Sequence, residues 1–298
     1  MTTDSQTLLP SETLRLLGNA RFTPKRLRAG AWRGERRSRK RGESIEFADY
    51  RDYSAGDDLR KLDWNILARH NKPVVKVYED EQDLTVHVLL DASKSMGALP
   101  NTDERHSKWA FALRLASALG YIALRTGDAL TVQCLGNVGA FTGRGREQVV
   151  TLLRWLAPQS TAGGTALNDA LNAFALRERR AGLCFVLSDC FSPQGYEAGL
   201  RALLAHGHEV VLVHILAPYD VQPPLEGDLR LQDVETNATQ ELNVNDSLLT
   251  RYQKHLRDWQ ASLRATCARL GVGYTLALSD SAPDRFILSQ LYTLGVVG

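Results

Sequence analysis

Short apolar runs alternate with longer amphipathic stretches along the chain from Asp83 onward. The apolar runs are rich in β-branched residues and show little polar alternation, which is typical of strands covered on both faces. The pattern predicts strands over residues 85–90, 130–135, 183–187, 210–215 and 274–278, and helices over 108–125, 146–156, 166–179, 196–206 and 246–270. This order indicates βαβ units around a mainly parallel central sheet with helices on both faces.

Two regions depart from the βαβ pattern. Residues 226–245 contain two short runs around a polar turn, which predicts a β-hairpin inserted before the last long helix. Before Asp83, a stretch punctuated by Gly and Asp predicts helices over 13–19 and 59–69 and a strand over 74–78. We therefore divide the chain into an N-terminal segment, residues 1–81, that packs on the main domain, and an α/β domain, residues 82–298.

Charge is distributed unevenly along the chain. The 36 basic and 34 acidic residues give a formal net charge of +2, but ten basic residues and one acidic residue lie between Arg21 and Arg41. Such a basic tract can bind phosphates, although Phe22 and Trp32 are its only aromatic residues, too few to stack nucleic-acid bases. Solvated charge, or docking to the acidic remainder of the chain, is the favoured interpretation of residues 21–41. Phosphate or nucleic-acid binding is the alternative.

Cysteine usage and hydropathy predict the compartment. The four cysteines form no C-x-x-C pair and fit neither a disulfide framework nor a zinc ribbon, which favours a reducing compartment. No apolar run approaches the roughly 20 residues of a membrane span, and the N-terminus lacks the pattern of a signal peptide. The sequence therefore predicts a cytoplasmic protein.

Oxygen-bearing side chains follow two of the predicted strands. Asp91, Ser93 and Ser95 come directly after the first strand as D-x-S-x-S, and Asp189 follows the strand over 183–187. Thr165 follows two glycines at the predicted start of a helix. Because ligands bind at the carboxyl edge of an open α/β sheet, we expect these five side chains to converge there. They form a hard donor set suited to Mg²⁺, whereas capping of turns is the structural alternative.

These five residues resemble the metal-ion-dependent adhesion site (MIDAS) of the von Willebrand factor A domain, a Rossmann-like α/β fold. That site consists of D-x-S-x-S, a threonine in a later G-G-T-like loop and an aspartate that ends a further strand, and all five positions match. The resemblance implies one Mg²⁺ or Mn²⁺ held directly by Ser93 and Ser95, with Thr165 as a further ligand. It also implies that Asp91 and Asp189 act largely through water.

A second motif lies before the α/β domain. Residues 51–64 contain R-x-Y-x-x-G-D-D-x-R-x-x-D-W, which resembles the segment before the A domain in the bacterial family called domain of unknown function 58. Members of that family are often encoded beside MoxR-type AAA+ ATPases, so the resemblance implies a partner or adaptor of such a motor. Asp57, Asp58, Arg60, Asp63 and Arg69 are interpreted as a buttress of ion pairs with Trp64 as a packing anchor, in preference to a ligand site.

Enzymatic alternatives lack their characteristic residues. A phosphatase of the haloacid dehalogenase type needs a second aspartate where Ser93 stands, and neither a phosphate-binding P-loop nor a G-x-S-x-G elbow is present. His87 and His214 lie inside apolar strands and are interpreted as core histidines. The sequence thus predicts a non-enzymatic protein that binds an acidic residue of a partner, an AAA+ ATPase or its client, through the metal. A metal-dependent phosphohydrolase is the alternative.

Overall fold

The computed structural model describes residues 8–24, 46–54, 62–70, 72–79, 84–97, 107–161, 163–164, 166–232 and 239–298. Within these ranges the strands are β1 Glu46–Asp52, β2 Val74–Glu79, β3 Thr85–Asp91, β4 Ala129–Leu135, β5 Phe141–Arg144, β6 Leu183–Ser188, β7 Glu209–Leu216, β8 Gly227–Gln232, β9 Thr239–Val244 and β10 Gly273–Leu278. The helices are α1 Ser11–Leu16, α2 Trp64–His70, α3 Lys108–Thr126, α4 Val149–Leu156, α5 Leu167–Arg177, α6 Glu197–Ala205, α7 Pro218–Val221, α8 Asp246–Leu270 and α9 Pro283–Phe286.

The described residues divide into two compact units. The larger unit contains residues 8–24 and the described residues from 84 onward, and the smaller unit contains those between 46 and 79. The larger unit has a six-stranded sheet in the order β10-β7-β6-β3-β4-β5, in which β5 alone is antiparallel to its neighbour. The predicted α/β class with a mainly parallel sheet is therefore confirmed. Strands β8 and β9 form the predicted antiparallel hairpin.

The central sheet is covered by two apolar clusters, one on each face. Alternate residues of β3 point to opposite sides, so Val88 and Leu90 join the cluster that contains α3, and Leu89 joins the one that contains α5 and α6. All three side chains are fully buried. Doubly covered strands of this kind explain why the apolar runs show so little polar alternation in the sequence.

Residues 8–24 belong to the core of the larger unit, which differs from the boundary that the sequence analysis sets after residue 81. Phe22 is 6% exposed, and its ring centroid lies 5.5 Å from that of Phe185 on β6. The backbones of Arg21 and Gly298 exchange two hydrogen bonds of 2.9 Å, which joins this segment to the last residues of the chain. Helix α1, Ser11–Leu16, begins two residues before the start predicted from the sequence, residue 13.

The smaller unit consists of antiparallel β1 and β2 with the short helix α2. Asp63 caps α2, because its Oδ1 accepts hydrogen bonds from the backbone N–H groups of Asn65, at 2.9 Å, and Ile66, at 3.2 Å. The prediction that Trp64 is a packing anchor is wrong, since this side chain is 62% exposed at the first helical position. The predicted ion pairs of Asp57, Asp58 and Arg60 lie outside the described residues.

Three histidines of the larger unit are buried in its core. His87 and His214 are fully buried on β3 and β7, and His208 is 2% exposed. Burial lowers the pKa of His87 and of His214 to about 4, and it also lowers the pKa of His208. Within the described part of the chain, one ring nitrogen of each histidine has no hydrogen-bond partner. The folded protein therefore favours the neutral imidazoles.

We expect acid to destabilise the larger unit through its buried histidines. A histidine whose folded pKa is lowered contributes its full stability above the unfolded pKa, about 6.5, and loses it as the pH falls toward 4. From the shift to about 4, His87 and His214 each contribute about 3 kcal/mol to this loss. Urea unfolding at pH 7 and pH 4.5 measures the effect. His87→Gln should reduce the change in the free energy of unfolding between the two pH values, whereas the exposed control His255→Gln should not. An equal change in the original chain and both variants would contradict the account.

Candidate metal site

The candidate site lies where the central sheet changes its direction of winding. Strand β3 has β4 on one side and β6 on the other, so the connections that follow β3 and β6 leave toward opposite edges. Their helices also cover opposite faces, since α3 packs in one apolar cluster and α6 in the other. Such a switch point opens a crevice beyond the carboxyl ends of the two strands. Asp91 ends β3 and Asp189 follows β6 directly.

Asp91 is held in one orientation by two neutral donors. Its Oδ1 accepts a 3.0 Å hydrogen bond from the backbone N–H of Ser93, and its Oδ2 accepts a 2.6 Å hydrogen bond from Ser188 Oγ. The carboxyl group is 3% exposed. Burial raises the pKa of Asp91, and the nearby charge of Asp189 raises it further. The hydrogen bond from Ser188 lowers the pKa but does not outweigh burial. A cation bound beside Asp91 would relieve this unfavourable burial of charge.

The two serines of the D-x-S-x-S motif point at each other. Ser93 Oγ lies 3.0 Å from Ser95 Oγ, on a single 3₁₀ turn over Lys94–Met96. Ser93 is buried and Ser95 is half-buried. Two neighbouring ligands of an octahedral Mg²⁺ ion stand about 3.0 Å apart, because each metal–oxygen bond is about 2.1 Å long. The spacing of these hydroxyl groups therefore fits two adjacent positions of a magnesium shell.

The glycine loop approaches the D-x-S-x-S turn through its backbone. The N–H of Lys94 donates a 3.1 Å hydrogen bond to the carbonyl oxygen of Gly163. Gly163 has a φ of +65°, a conformation that a side chain would strain. The predicted ligand Thr165 lies outside the described residues, so its role stays a prediction. The loop that carries it is nevertheless joined to the serine turn.

Asp189 is fixed by a charged donor rather than a neutral one. Its Oδ2 accepts a 2.7 Å hydrogen bond from Lys108 Nζ, and its Oδ1 accepts one of 3.1 Å from the backbone N–H of Phe191. The carboxylate is 1% exposed. Cys190 between them has a φ of +58°, which is strained for a residue with a side chain and turns the chain sharply after β6. Directly before this turn, the carboxylate of Asp189 meets Lys108.

Lys108 is the residue beside the candidate site that the sequence analysis missed. It begins α3 and is 2% exposed, with Nζ 2.7 Å from Asp189 and 3.2 Å from Asp220. Burial lowers the pKa of Lys108, but the two carboxylates outweigh it and raise the pKa overall. A signal was present in the sequence. The helix is apolar nearly all round and is therefore expected to be buried, and a lysine in a buried helix needs an acidic partner.

The donor set fits a magnesium or manganese ion through its oxygen atoms. In the described part of the chain, no group of three or more His, Cys, Asp and Glu side chains is arranged to hold a metal. The fit rests instead on the two hydroxyls of Ser93 and Ser95 beside the buried carboxylate of Asp91. Hard oxygen donors with few charges suit Mg²⁺, which keeps several water ligands.

Two aromatic side chains border this part of the sheet. Phe191, 39% exposed, stacks on Trp259 of α8 with ring centroids 5.1 Å apart. The ammonium group of Lys108 lies 4.8 Å from the centroid of the Phe191 ring, within the range of a cation–π contact. The Phe191 ring therefore covers one side of the Lys108 ammonium group.

Ser188→Ala is expected to lower the free energy of unfolding by about 2 kcal/mol. The Ser188 hydroxyl donates to Asp91 and accepts from the backbone N–H of Cys190, and its removal leaves two buried polar groups unpaired. Urea unfolding of the metal-stripped chain measures the change. Ser289→Ala, which removes an exposed hydroxyl on the last helical segment, should change stability by less than about 0.5 kcal/mol. Equal stability of Ser188→Ala and the original chain would contradict this geometry.

The fold and the candidate site together define an α/β protein with hydroxyl and carboxylate groups and a buried lysine at the carboxyl edge of its sheet. A family model described as "Protein of unknown function DUF58" matches residues 49–262. The chain belongs to this family, which confirms the second resemblance drawn from the sequence. An uncharacterized protein of Mycobacterium tuberculosis is 30% identical over 258 residues, which cover 84% of this chain and 78% of the relative. An uncharacterized protein of Mycobacterium bovis matches to the same extent.

Solved structures similar to the chain come from other bacteria. An aerotolerance-related membrane protein of Bacteroides fragilis is 17% identical with a TM-score of 0.44, and the match covers 71% of this chain and 98% of that one. A membrane-spanning protein of Vibrio fischeri is 19% identical with a TM-score of 0.17, covering 72% and 98%. Both of these proteins are described as membrane proteins, which contradicts the cytoplasmic location predicted from the sequence, and that prediction is not kept. Among the described helices, none has the length and apolar character needed to cross a membrane.

Proposed function

We propose that this protein is a non-enzymatic, metal-dependent protein–protein interaction module with a domain of the von Willebrand factor A type. The observation that carries the proposal is the meeting of Asp91, Ser93 and Ser95 beside Asp189 at the switch point of a mainly parallel sheet. The raised pKa of Asp91 supports it, because a buried carboxylate with neutral hydrogen-bond donors gains from a bound cation.

Ser93 and Ser95 would hold Mg²⁺ or Mn²⁺ directly, with Thr165 as a further ligand. Asp91 and Asp189 would act through water, each kept in place by its own hydrogen bonds. When bound, the metal supplies a positive centre that attracts a hard anionic ligand. The residues of the chain would hold this positive centre at the carboxyl ends of β3 and β6, beside the loops that follow them.

An acidic residue of a partner protein is the ligand that this site would accept. The direct donors from the chain are neutral hydroxyls, so the shell has room for an anionic oxygen from outside. A MoxR-type AAA+ ATPase or its client is the proposed partner, on the basis of the family resemblance. The module would then couple such a motor to its substrate.

The same contacts argue against a hydrolytic reaction at this site. A general acid or base must reach a substrate proton, and the two carboxylates instead accept hydrogen bonds from Ser188 and Lys108. The hydroxyl groups of Ser93 and Ser95 lie 3.0 Å from each other, with no activating histidine in the site geometry described above. The alternative of phosphate binding through residues 21–41 falls mostly outside the described residues.

Chelation and Thr165→Ala are each expected to weaken capture of the partner at least about tenfold, because each removes part of the metal centre. The full chain serves as bait in affinity capture with and without chelator, read by mass spectrometry. Neutralising Arg36, Arg37, Arg39 and Arg41 should leave most of the capture intact. The opposite pattern, in which chelation has no effect and the arginine variant loses the partner, would assign the interface to the basic tract.

A further inference from the structure

A buried lysine shares the edge of the sheet with the candidate metal ligands. Lys108 Nζ bridges Asp189, at 2.7 Å, and Asp220, at 3.2 Å. The side chains of Lys108 and Asp189 are 3% and 1% exposed, and that of Asp220 is 15% exposed. The lysine therefore carries a full charge in a region from which water is nearly excluded.

The position of Lys108 is unfavourable for a cation in two respects. Burial removes the hydration of the ammonium group, and the N-terminus of a helix, where Lys108 lies, repels positive charge. A neutral residue at this position would pack with the apolar face of α3 without losing the hydration of a charge and without repulsion by the helix N-terminus. The carboxylates of Asp189 and Asp220 offset both effects, so these two ion pairs, and not the helix, stabilise the charge of Lys108.

Asp91 and Asp189 differ in the kind of donor that they meet. Asp91 accepts hydrogen bonds from a backbone N–H and a serine hydroxyl, both neutral. Asp189 accepts from the lysine on one oxygen and from the Phe191 N–H on the other. Each oxygen of Asp189 thus already accepts a hydrogen bond, and the donor on Oδ2 carries a positive charge that repels a metal ion from this carboxylate.

We infer that Lys108 is a positioning residue that holds Asp189 out of direct contact with the metal and reduces the negative charge of the site. The inference rests on the proposed metal-binding function and extends it. Through this arrangement the chain binds the metal weakly by itself, and a coordination position stays open for the carboxylate of the partner. Lys108 thereby determines that the site recognises an acidic group.

Removal of the lysine charge should therefore tighten metal binding. Lys108→Met keeps the length and packing of the side chain, releases Asp189 and removes a positive charge that repels the metal. We expect the dissociation constant for Mg²⁺ to fall at least about tenfold. A lysine with only a structural role would give an unchanged or weaker affinity, so the direction of the change separates the two roles.

A charge-balanced variant protects the test against misfolding. Lys108→Met alone leaves two buried carboxylates without their cation, whereas Lys108→Met with Asp220→Asn removes one charge of each sign. Lys254→Met is the matched control, because Lys254 also pairs with an aspartate, Asp258 at 3.7 Å, but on the exposed surface of α8. The control should bind Mg²⁺ as the original chain does.

Calorimetric titration of Mg²⁺ alone into the metal-stripped full chains provides the readout, with circular dichroism to confirm folding. Tighter binding by the double variant supports the inference, and equal or weaker binding by a folded double variant overturns it while the proposed function stands. If the variant binds Mg²⁺ and the original chain does not, the lysine role is supported and the proposed function fails. If no protein binds Mg²⁺, both are overturned.

Discussion

Replacing Ser93 and Ser95 together by alanine is expected to lower the affinity for Mn²⁺ at least about 100-fold. Their hydroxyl oxygens, 3.0 Å apart, are the direct ligands in the proposed site, and loss of two of its inner oxygens removes most of the binding energy. The substitution changes no charge, so long-range electrostatics stay constant. Equilibrium dialysis of metal-stripped protein against Mn²⁺ measures the change.

A matched pair of serines serves as the control for this experiment. Ser281→Ala with Ser289→Ala removes two hydroxyls of the C-terminal segment, which donate to the backbone carbonyls of Leu278 and Arg285. This variant should bind Mn²⁺ as the original chain does. The free energy of unfolding without metal should change by less than about 2 kcal/mol in the Ser93 and Ser95 variant, because it removes the hydrogen bond between the two side chains and the one from the Ser93 hydroxyl to Asp91, while Asp91 keeps its bonds from the Ser93 N–H and from Ser188. Unaltered Mn²⁺ affinity in that variant would refute the ligand assignment.

Phe22→Ala is expected to lower the free energy of unfolding by about 3 kcal/mol. The ring is 6% exposed and contacts Phe185 in the centre of the sheet, so truncation leaves a cavity in the larger apolar cluster. The effect is large for a residue that lies inside the basic tract and that the sequence analysis assigned to the N-terminal segment rather than to the α/β domain. Urea unfolding followed by tryptophan fluorescence measures it.

Tyr292→Ala is the control for the Phe22 substitution. Tyr292 is another large aromatic residue of the same unit, but it is 63% exposed, and its truncation should change stability by less than about 1 kcal/mol. If both variants unfold at the same urea concentration as the original chain, residues 8–24 do not contribute to the core as described.

The parallel strands were predictable because burial on both faces leaves a strong apolar signal. All five strands predicted after Asp83 are present within one or two residues of their expected bounds. Strand β5 was missed, since its four residues Phe141–Arg144 lie at the edge of the sheet, and an edge strand needs few apolar residues. Strand β1, Glu46–Asp52, was also missed, because charged residues interrupt its pattern.

The candidate site was predictable in its carboxylates and serines but not in its ion pairs. Asp91 and Asp189 follow recognisable strands, so topology alone brings them to neighbouring positions. The contact between Lys108 and Asp189 joins residues 81 positions apart, and no local pattern specifies it. For Trp64 the sequence predicted a buried contact that the structure does not have. A match to a motif does not reveal which side of a short helix is buried.

The most direct test of the proposed metal-dependent module is a calorimetric titration of Mg²⁺ into the metal-stripped full chain at pH 7. The proposal predicts one binding site per chain, together with a rise in melting temperature when Mg²⁺ is saturating, because a ligand that binds only the folded state stabilises it. Absence of binding heat and of any thermal shift at millimolar Mg²⁺ or Mn²⁺ would contradict the proposal.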